Sequence, residues 1–156
     1  MRKKSVLAAQ SISKNYNGVD VLKNVSFDLP AGEWLGILGE SGSGKSTLLR
    51  ILGRFLDADQ GDVLFQGDAL PLVASQLISG YDSIRLIHQE FELFPSQTVE
   101  ENISYSLRFY DPEFRQAKVL ELLELTALLP VRTQKAKLLS GGEKQRTAIA
   151  KSLAEQ

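Results

Sequence analysis

A glycine-rich segment, GESGSGKST at residues 39–47, carries the residues of this chain that are best suited to chemistry. Glycines at this spacing let backbone N–H groups turn inward around phosphate oxygens, because a Cβ would block both the conformation and the close approach. Lys45 is placed to reach the β- and γ-phosphates of a nucleotide, and the Ser46 hydroxyl is placed to join the shell of a Mg²⁺ ion. The predicted phosphate-binding residues are Gly39, Glu40, Ser41, Gly42, Ser43, Gly44, Lys45, Ser46 and Thr47.

Such a loop needs a strand before it and a helix after it, and the flanking residues have both patterns. Trp34 to Leu38 is an almost wholly apolar run, which predicts a strand buried on both faces. Lys45 to Gly53 has helical spacing and ends at glycine, which predicts a helix whose positive N-terminal end faces the phosphate. Further predicted elements are strands at Val6 to Ile12, Val25 to Leu29, Asp62 to Phe65 and Ser83 to His88, and a helix at Pro71 to Ile78.

The stretch from Thr98 to Leu139 has a helical pattern throughout and is predicted to form a helical insert. Thr98 and Glu101 have the spacing of a capping box, in which each side chain accepts from the other residue's backbone N–H. Asp111 and Pro112 predict the start of a second helix. The residues predicted to line one apolar face of that helix are Phe114, Ala117, Leu120 and Leu123.

A second short motif, SGGE at residues 140–143, predicts another helix start. Ser140 can cap the helix and Glu143 sits at the reciprocal position of a capping box. Gly141 and Gly142 would leave backbone donors there uncovered, which makes a weaker anion site, suited to a terminal phosphate offered from outside. Taken alone, the motif also fits an ordinary capped surface helix.

The two motifs in this order, with the longer string LSGGEKQRTAIAKSLA from Leu139, resemble the ATP-binding cassette (ABC) family, the engine subunits of ABC transporters. The resemblance implies an α/β P-loop NTPase fold of ABC type, with an N-terminal antiparallel β-sheet and a helical insert. It implies that ATP and Mg²⁺ bind, and that two cassettes, identical or different, pair head to tail. Ser140, Gly141, Gly142 and Glu143 of one cassette would then contact in trans the γ-phosphate held by residues 39–46 of the other.

Two further residues match positions of that family. Gln89, in IHQEFELFP, resembles the Q-loop glutamine that approaches Mg²⁺, although a loop glutamine with aromatic packing neighbours fits the same letters. Tyr16 resembles the aromatic residue whose ring stacks on adenine, with turn or core packing as the alternative. His88 is the single histidine of the chain and does not match the family's switch histidine, so a packed or rim position is predicted for it.

The family pattern divides the chain into the first part of an ATP-binding core at 1–88, a Q-loop and helical subdomain at 89–139, and a return to the core at 140–156. Only thirteen residues follow Glu143, and none of them matches the Walker B aspartate, catalytic glutamate or switch histidine. We therefore expect poor or absent ATP hydrolysis by the 156 residues alone, and an incomplete core sheet that leaves Trp34 to Leu38 uncovered. A truncated frame, a fragment, or a half completed by another chain would each explain this.

The composition and net charge of the chain limit the classes of partner that it is expected to bind. With 43% hydrophobic and 24% charged residues the chain is globular, and its net charge of −1 shows no footprint for nucleic acid. No apolar run is long enough to span a bilayer, so the resemblance implies a cytoplasmic position at the inner membrane face through a transmembrane permease subunit. Two alternatives remain: a soluble ABC-type ATPase that acts on DNA or ribosomes, and a non-catalytic nucleotide-binding fragment.

Overall fold

The computed structural model describes residues 5–155, which fold as two compact units joined in sequence between Ile84 and Arg85. The first unit is built on a β-sheet and the second on α-helices. The segment that begins at Ser140 folds within the second unit. The division into parts at 1–88, 89–139 and 140–156 stays a prediction.

The first unit contains an antiparallel β-sheet. Alternating or apolar runs rich in Val, Leu, Ile and Phe form its long strands, and three of the five strands predicted from sequence lie inside them. The N-terminal antiparallel sheet is thereby confirmed. Its strands are β1 at Ser5–Tyr16, β2 at Val19–Pro30, β3 at Gln60–Phe65 and β4 at Asp68–Ala69. They lie in the order β2-β1-β3-β4 across the sheet.

Helix α1, Lys45–Leu52, confirms the helix predicted after the glycine-rich loop. Its i, i+3 and i+4 spacing buries Leu48, Ile51 and Leu52 in the core that also contains Ile12 of β1. Gly53 ends the helix, and its N–H bonds to carbonyls of the last turn. This packing holds the N-terminus of α1, and with it the glycine-rich loop, on the sheet of the first unit.

The predicted strand from Trp34 to Leu38 is wrong, because these residues join none of the strand ladders described in the structure. An apolar run becomes a buried strand only where neighbouring strands satisfy its backbone groups. Here only Ile37 reaches the core of the first unit, while Trp34 is fully exposed and Leu38 is 95% exposed. The exposure agrees with the expectation that this run would lack its neighbour.

The helix predicted from Pro71 to Ile78 is also wrong, apart from one 3₁₀ turn at Val73–Ser75. The carboxylate of Asp57 accepts hydrogen bonds from Val73 N and Ala74 N, at 2.8 and 3.2 Å, and stabilises that turn. A longer helix would need a buried apolar face, yet Leu77 and Ile78 are exposed.

No strand forms from Ser83 to His88, contrary to the sequence prediction. A single bridge between Tyr81 and Ile84 is the pairing that the structure places at this point. Alternation of apolar residues is therefore not sufficient here, because no adjacent strand within residues 5–155 accepts the backbone hydrogen bonds.

The second unit contains helices α2 at Val99–Ser106, α3 at Pro112–Leu125 and α4 at Gly141–Ala154. Short 3₁₀ turns lie between α3 and α4, at Leu129–Val131 and Ala136–Leu138. The capping box of Thr98 and Glu101 starts α2, and Asp111 caps α3, as the sequence predicted. Their common core is formed by Val99, Ile103, Leu107, Val119, Leu122, Leu123, Leu128, Ala136, Leu139, Ala150 and Ala154.

The apolar face predicted for α3 is wrong except at Leu123. Val119, Leu122 and Leu123 are buried, whereas Phe114 and Leu120 are about half exposed and Ala117 is exposed. A strict three-residue spacing falls roughly 60° short of a full helical turn at each step, so residues nine apart lie on opposite sides.

Across residues 5–155, no helix combines the length and apolar composition that a membrane span requires.

Candidate functional site

The glycine-rich loop has a backbone that glycine permits and other residues would not. Gly44 has a φ of 88°, and a Cβ added there would lie 2.8 Å from the carbonyl oxygen of Val21. A Cβ on Gly39 would lie 2.6 Å from Ser43 Oγ. The first contact is with backbone, so a side chain at Gly44 would displace the loop from β2. Steric fit inside the first unit therefore explains these two glycines.

The Lys45 ammonium is held directly against this loop. Its Nζ donates hydrogen bonds to the carbonyl oxygens of Gly39 and Glu40, at 2.8 and 2.6 Å, and lies 3.3 Å from Ser43 Oγ. The side chain thus folds back across the loop rather than extending into solvent. A fixed positive charge lies beside backbone that could surround an anion.

The N-terminus of α1 differs from the N-termini of the other three α-helices described in the structure. Its N-cap is Gly44, and no side chain in residues 5–155 caps it, whereas Thr98, Asp111 and Ser140 cap α2, α3 and α4. The first N–H groups of a helix have no partner within the helix and point along the axis. At α1 they remain available to an anion, so the residues present fit a phosphate group. Ser46 lies exposed in this first turn, and its place in the shell of a Mg²⁺ ion stays a prediction.

Tyr16 lies at the end of β1, in the same unit as the loop, and pairs with Val19 across the hairpin turn. The residue is 43% exposed, and Lys14 Nζ lies 5.7 Å from the centroid of its ring. An exposed ring can stack on a base. Its contact with adenine stays a prediction.

Ser140 and Glu143 form the capping box that the sequence predicted at the start of α4. Ser140 N and Oγ both donate to Glu143 Oε2, at 2.8 and 2.7 Å, and Glu143 N donates to Ser140 Oγ at 3.4 Å. The hydrogen bond from the Ser140 hydroxyl, followed by the one from its backbone N–H, holds the pKa of Glu143 below its ordinary value. The carboxylate is thus kept ionised at the positive end of the helix.

Gly141 and Gly142 of the SGGE motif have space around them. Within the described residues, a Cβ on Gly141 would meet no atom within 4 Å, and a Cβ on Gly142 would lie 3.6 Å from one Arg146 nitrogen. Neither φ is in the left-handed region. Packing within this chain therefore does not require glycine at either position.

The contribution of Glu143 to stability should depend on pH in a defined direction. Because folding lowers its pKa, the stabilisation is complete above the ordinary pKa of a glutamate and is lost as the pH falls through the lowered value in the folded chain. The free energy of unfolding should therefore fall over an acid range of pH, the acid limb of its pH dependence. We expect Glu143→Gln to flatten this acid limb in unfolding titrations run from neutral to acid pH. The exposed Glu124 on α3 offers a matched control, Glu124→Gln, that should leave the limb unchanged. Superimposable acid limbs for Glu143→Gln and wild type would contradict the argument.

Gln89 is exposed and lies in the second unit, so its joint role with Ser46 at a Mg²⁺ ion stays a prediction. The backbone after it is unusual, since Phe91 and Glu92 have φ values of 62° and 46°. Each left-handed residue other than glycine costs roughly 1–3 kcal/mol. His88 has the rim position expected for it, with a side chain 40% exposed and Nε2 3.6 Å from Glu92 Oε1.

Two side chains near this loop were missed by reasoning from sequence. Asn102 of α2 is completely buried and binds the backbone of Phe94 through both its amide oxygen and its amide nitrogen. Lys151 of α4 donates to the carbonyl oxygen of Glu92 at 3.0 Å. The sequence did contain an indication of the role of Asn102, because it is a polar residue that lies between Val99 and Ile103 on the buried face of α2. No comparable signal marked Lys151.

Comparison of the sequence with known proteins finds relatives in one family. The family model described as ABC transporter matches residues 22–156. The spermidine/putrescine import ATP-binding protein PotA of Thermotoga maritima is 39% identical over 153 residues, and PotA of Vibrio cholerae is 35% identical over 152 residues. These matches cover 96% of this chain but 40% and 39% of the two relatives, so the chain spans about two fifths of their length.

Solved structures give the same result. CbiO1 of Clostridium perfringens, part of the ABC transporter complex CbiONQ, superposes with a TM-score of 0.83 at 26% identity, over 98% of this chain and 62% of that protein. The ATP-binding cassette MJ0796, solved as a dimer bound to ADP and phosphate, superposes with a TM-score of 0.77 at 30% identity, over 96% of this chain and 69% of that protein.

These likenesses confirm the predicted fold class, an α/β P-loop NTPase fold of ABC type with an N-terminal antiparallel sheet. With the family match over 22–156, they show that this chain belongs to the ABC transporter family, among its ATP-binding subunits.

Proposed function

We propose that this chain binds Mg–ATP through residues 39–47 and pairs with a second cassette to serve a membrane transporter. The observation that carries the proposal is the start of α1, where an uncapped helix N-terminus and the Lys45 ammonium meet at one glycine-rich loop. Isothermal titration of the folded chain with Mg–ATP tests it. Absence of binding by folded protein would overturn it.

Each predicted residue has a distinct role in the proposal. Backbone N–H groups of 39–47 and the Lys45 ammonium hold the phosphates, and the ring of Tyr16 stacks on adenine. Ser46 and Gln89 would hold Mg²⁺, which when bound neutralises phosphate charge. No residue in 1–156 matches the Walker B aspartate or the catalytic glutamate, which support hydrolysis in the family. We therefore infer ATP binding with little or no turnover by these residues alone, which a phosphate-release assay measures.

The second cassette, identical or different, would contribute Ser140, Gly141, Gly142 and Glu143 to the same nucleotide. The open space at Gly141 supports this, because packing within the chain gives no reason for glycine there. The solved dimer of MJ0796 shows that a relative pairs in this family. In ADP the γ-phosphate is missing, so ATP should favour the dimer and ADP should not.

Replacing Gly141 by aspartate should abolish ATP-dependent pairing while the chain stays folded. An acidic residue in the first turn of α4 is favourable for the helix, and the structure leaves room for the side chain. Facing a triphosphate on another copy, the same carboxylate would repel it. Light scattering after gel filtration, with Mg–ATP and with Mg–ADP, measures the dimer fraction.

Gly141→Ala is the matched control, since it fills the same space without charge. We expect it to retain most of the ATP-dependent dimer. If wild type dimerises with ATP and Gly141→Asp dimerises equally well, the helix start at Ser140 does not face the nucleotide.

The transport role rests on the relatives. PotA is named as an import ATP-binding protein and CbiO1 as part of a transporter complex. By analogy we infer that this chain works with a transmembrane permease subunit at the cytoplasmic face of a membrane. Co-purification of the natural protein with a membrane protein tests this, and recovery free of any membrane component would count against it.

A further inference from the structure

The segment that carries Gln89 is attached to the last turns of α4 at two points. Before Gln89, the Arg85 guanidinium donates to the backbone carbonyl oxygen of Glu155 at 2.6 Å. After Gln89, Lys151 Nζ donates to the backbone carbonyl oxygen of Glu92 at 3.0 Å. All of these residues belong to the second unit. The loop is therefore bound on both sides to the helix that begins with the SGGE motif.

The second attachment lies where the backbone is least favourable. Phe91 and Glu92 are consecutive residues with positive φ, and neither is glycine. Within the turn, Phe91 N donates to His88 O at 2.9 Å. Such a conformation persists only when surrounding contacts hold it. The bond from Lys151 is a contact of this kind, because it fixes the carbonyl of the second left-handed residue.

Lys151 makes a further contact that fixes its own position. Its Nζ lies 5.1 Å from the centroid of the Phe94 ring, in the range of a cation–π interaction. Phe94 is in turn tied to α2 by both amide atoms of Asn102. A cavity of about 80 Å³ lies beside Lys151, lined by His88, Phe91 and Glu92 among others.

We propose that Lys151 is a positioning residue, which holds the turn at Phe91 and Glu92 and so places Gln89 at a set distance from α4. The proposal deepens the proposed function and rests on it only in assigning Gln89 and Ser140 to the nucleotide. Movement of α4, whose first residues would contact ATP, is then passed to the Gln89 loop through Lys151 on its C-terminal side, in addition to the Arg85 bond on its N-terminal side. Lys144, on the same helix, has no such contact in the described structure.

Hydrogen exchange of the nucleotide-free 156-residue chain tests the proposal, with Lys151→Met as the main variant. Methionine keeps the length and helix propensity of lysine and removes the donor and the charge. We expect exchange at residues 89–94 to accelerate at least tenfold, with exchange in α2 and α3 unchanged. Lys151→Arg, which retains a donor and a cation, should restore slow exchange, and Lys144→Met should match wild type.

Three results would overturn the proposal. The first is wild-type exchange at 89–94 in Lys151→Met, and the second is failure of Lys151→Arg to restore protection. The third is equal acceleration in α2 and α3, which would indicate general loss of packing. If wild type binds no Mg–ATP in a separate titration, the proposed function fails, whereas the exchange experiment still decides the role of Lys151.

Discussion

Replacing Asn102 by aspartate is expected to destabilise the chain by about 3–5 kcal/mol at neutral pH, which is the usual cost of an uncompensated buried charge. The buried amide nitrogen donates to the carbonyl oxygens of Phe94 and Thr98, at 3.1 and 2.8 Å, and lies 3.4 Å from that of Gln97. The substitution keeps the shape and puts an anionic oxygen against these three carbonyls. The bond from Phe94 N to the other amide oxygen is kept.

Urea unfolding followed by circular dichroism measures this loss. Gln116→Glu makes the same chemical change on the exposed side of α3 and should alter the free energy of unfolding by no more than about 0.5 kcal/mol. The deficit of Asn102→Asp should shrink at acid pH, where the new carboxyl is protonated and can donate again. A variant as stable as wild type at neutral pH would show that Asn102 does not anchor the loop.

Replacing Lys45 by methionine is expected to weaken Mg–ATP binding about 10- to 100-fold, since a hydrogen bond to a charged group contributes roughly 1.5–3 kcal/mol. The structure places the ammonium against Gly39 and Glu40 of the loop, where the proposal puts the phosphates. Removing it takes away both the charge and these loop contacts. Titration calorimetry gives the dissociation constant directly.

Two further variants separate these causes. Lys23→Met removes a lysine whose side chain is 74% exposed on β2, and its affinity should match wild type. Lys45→Arg keeps the charge but changes its geometry, so partial recovery would assign the effect to charge. An affinity of Lys45→Met within twofold of wild type would mean that the loop does not bind phosphate through Lys45.

The features that the sequence determined by itself are local ones. The glycine-rich loop, helix α1, and the caps at Thr98, Asp111 and Ser140 each depend on residues within a few positions of one another. Backbone sterics and short-range hydrogen bonds decide such features. For that reason the proposed phosphate-binding residues and the SGGE motif could be predicted from the sequence alone.

The tertiary structure decided what depends on neighbours. Whether Trp34 to Leu38 or Ser83 to His88 forms a strand depends on an adjacent strand, which the described residues do not supply. Which side of α3 is buried was set by α2 and α4. Asn102 and Lys151 owe their importance to bonds with Phe94 and Glu92, from separate elements. Hydrogen bonds and burial between distant segments are hard to predict from sequence. A polar residue that is buried and hydrogen-bonded has the same sequence letter as one on an exposed surface.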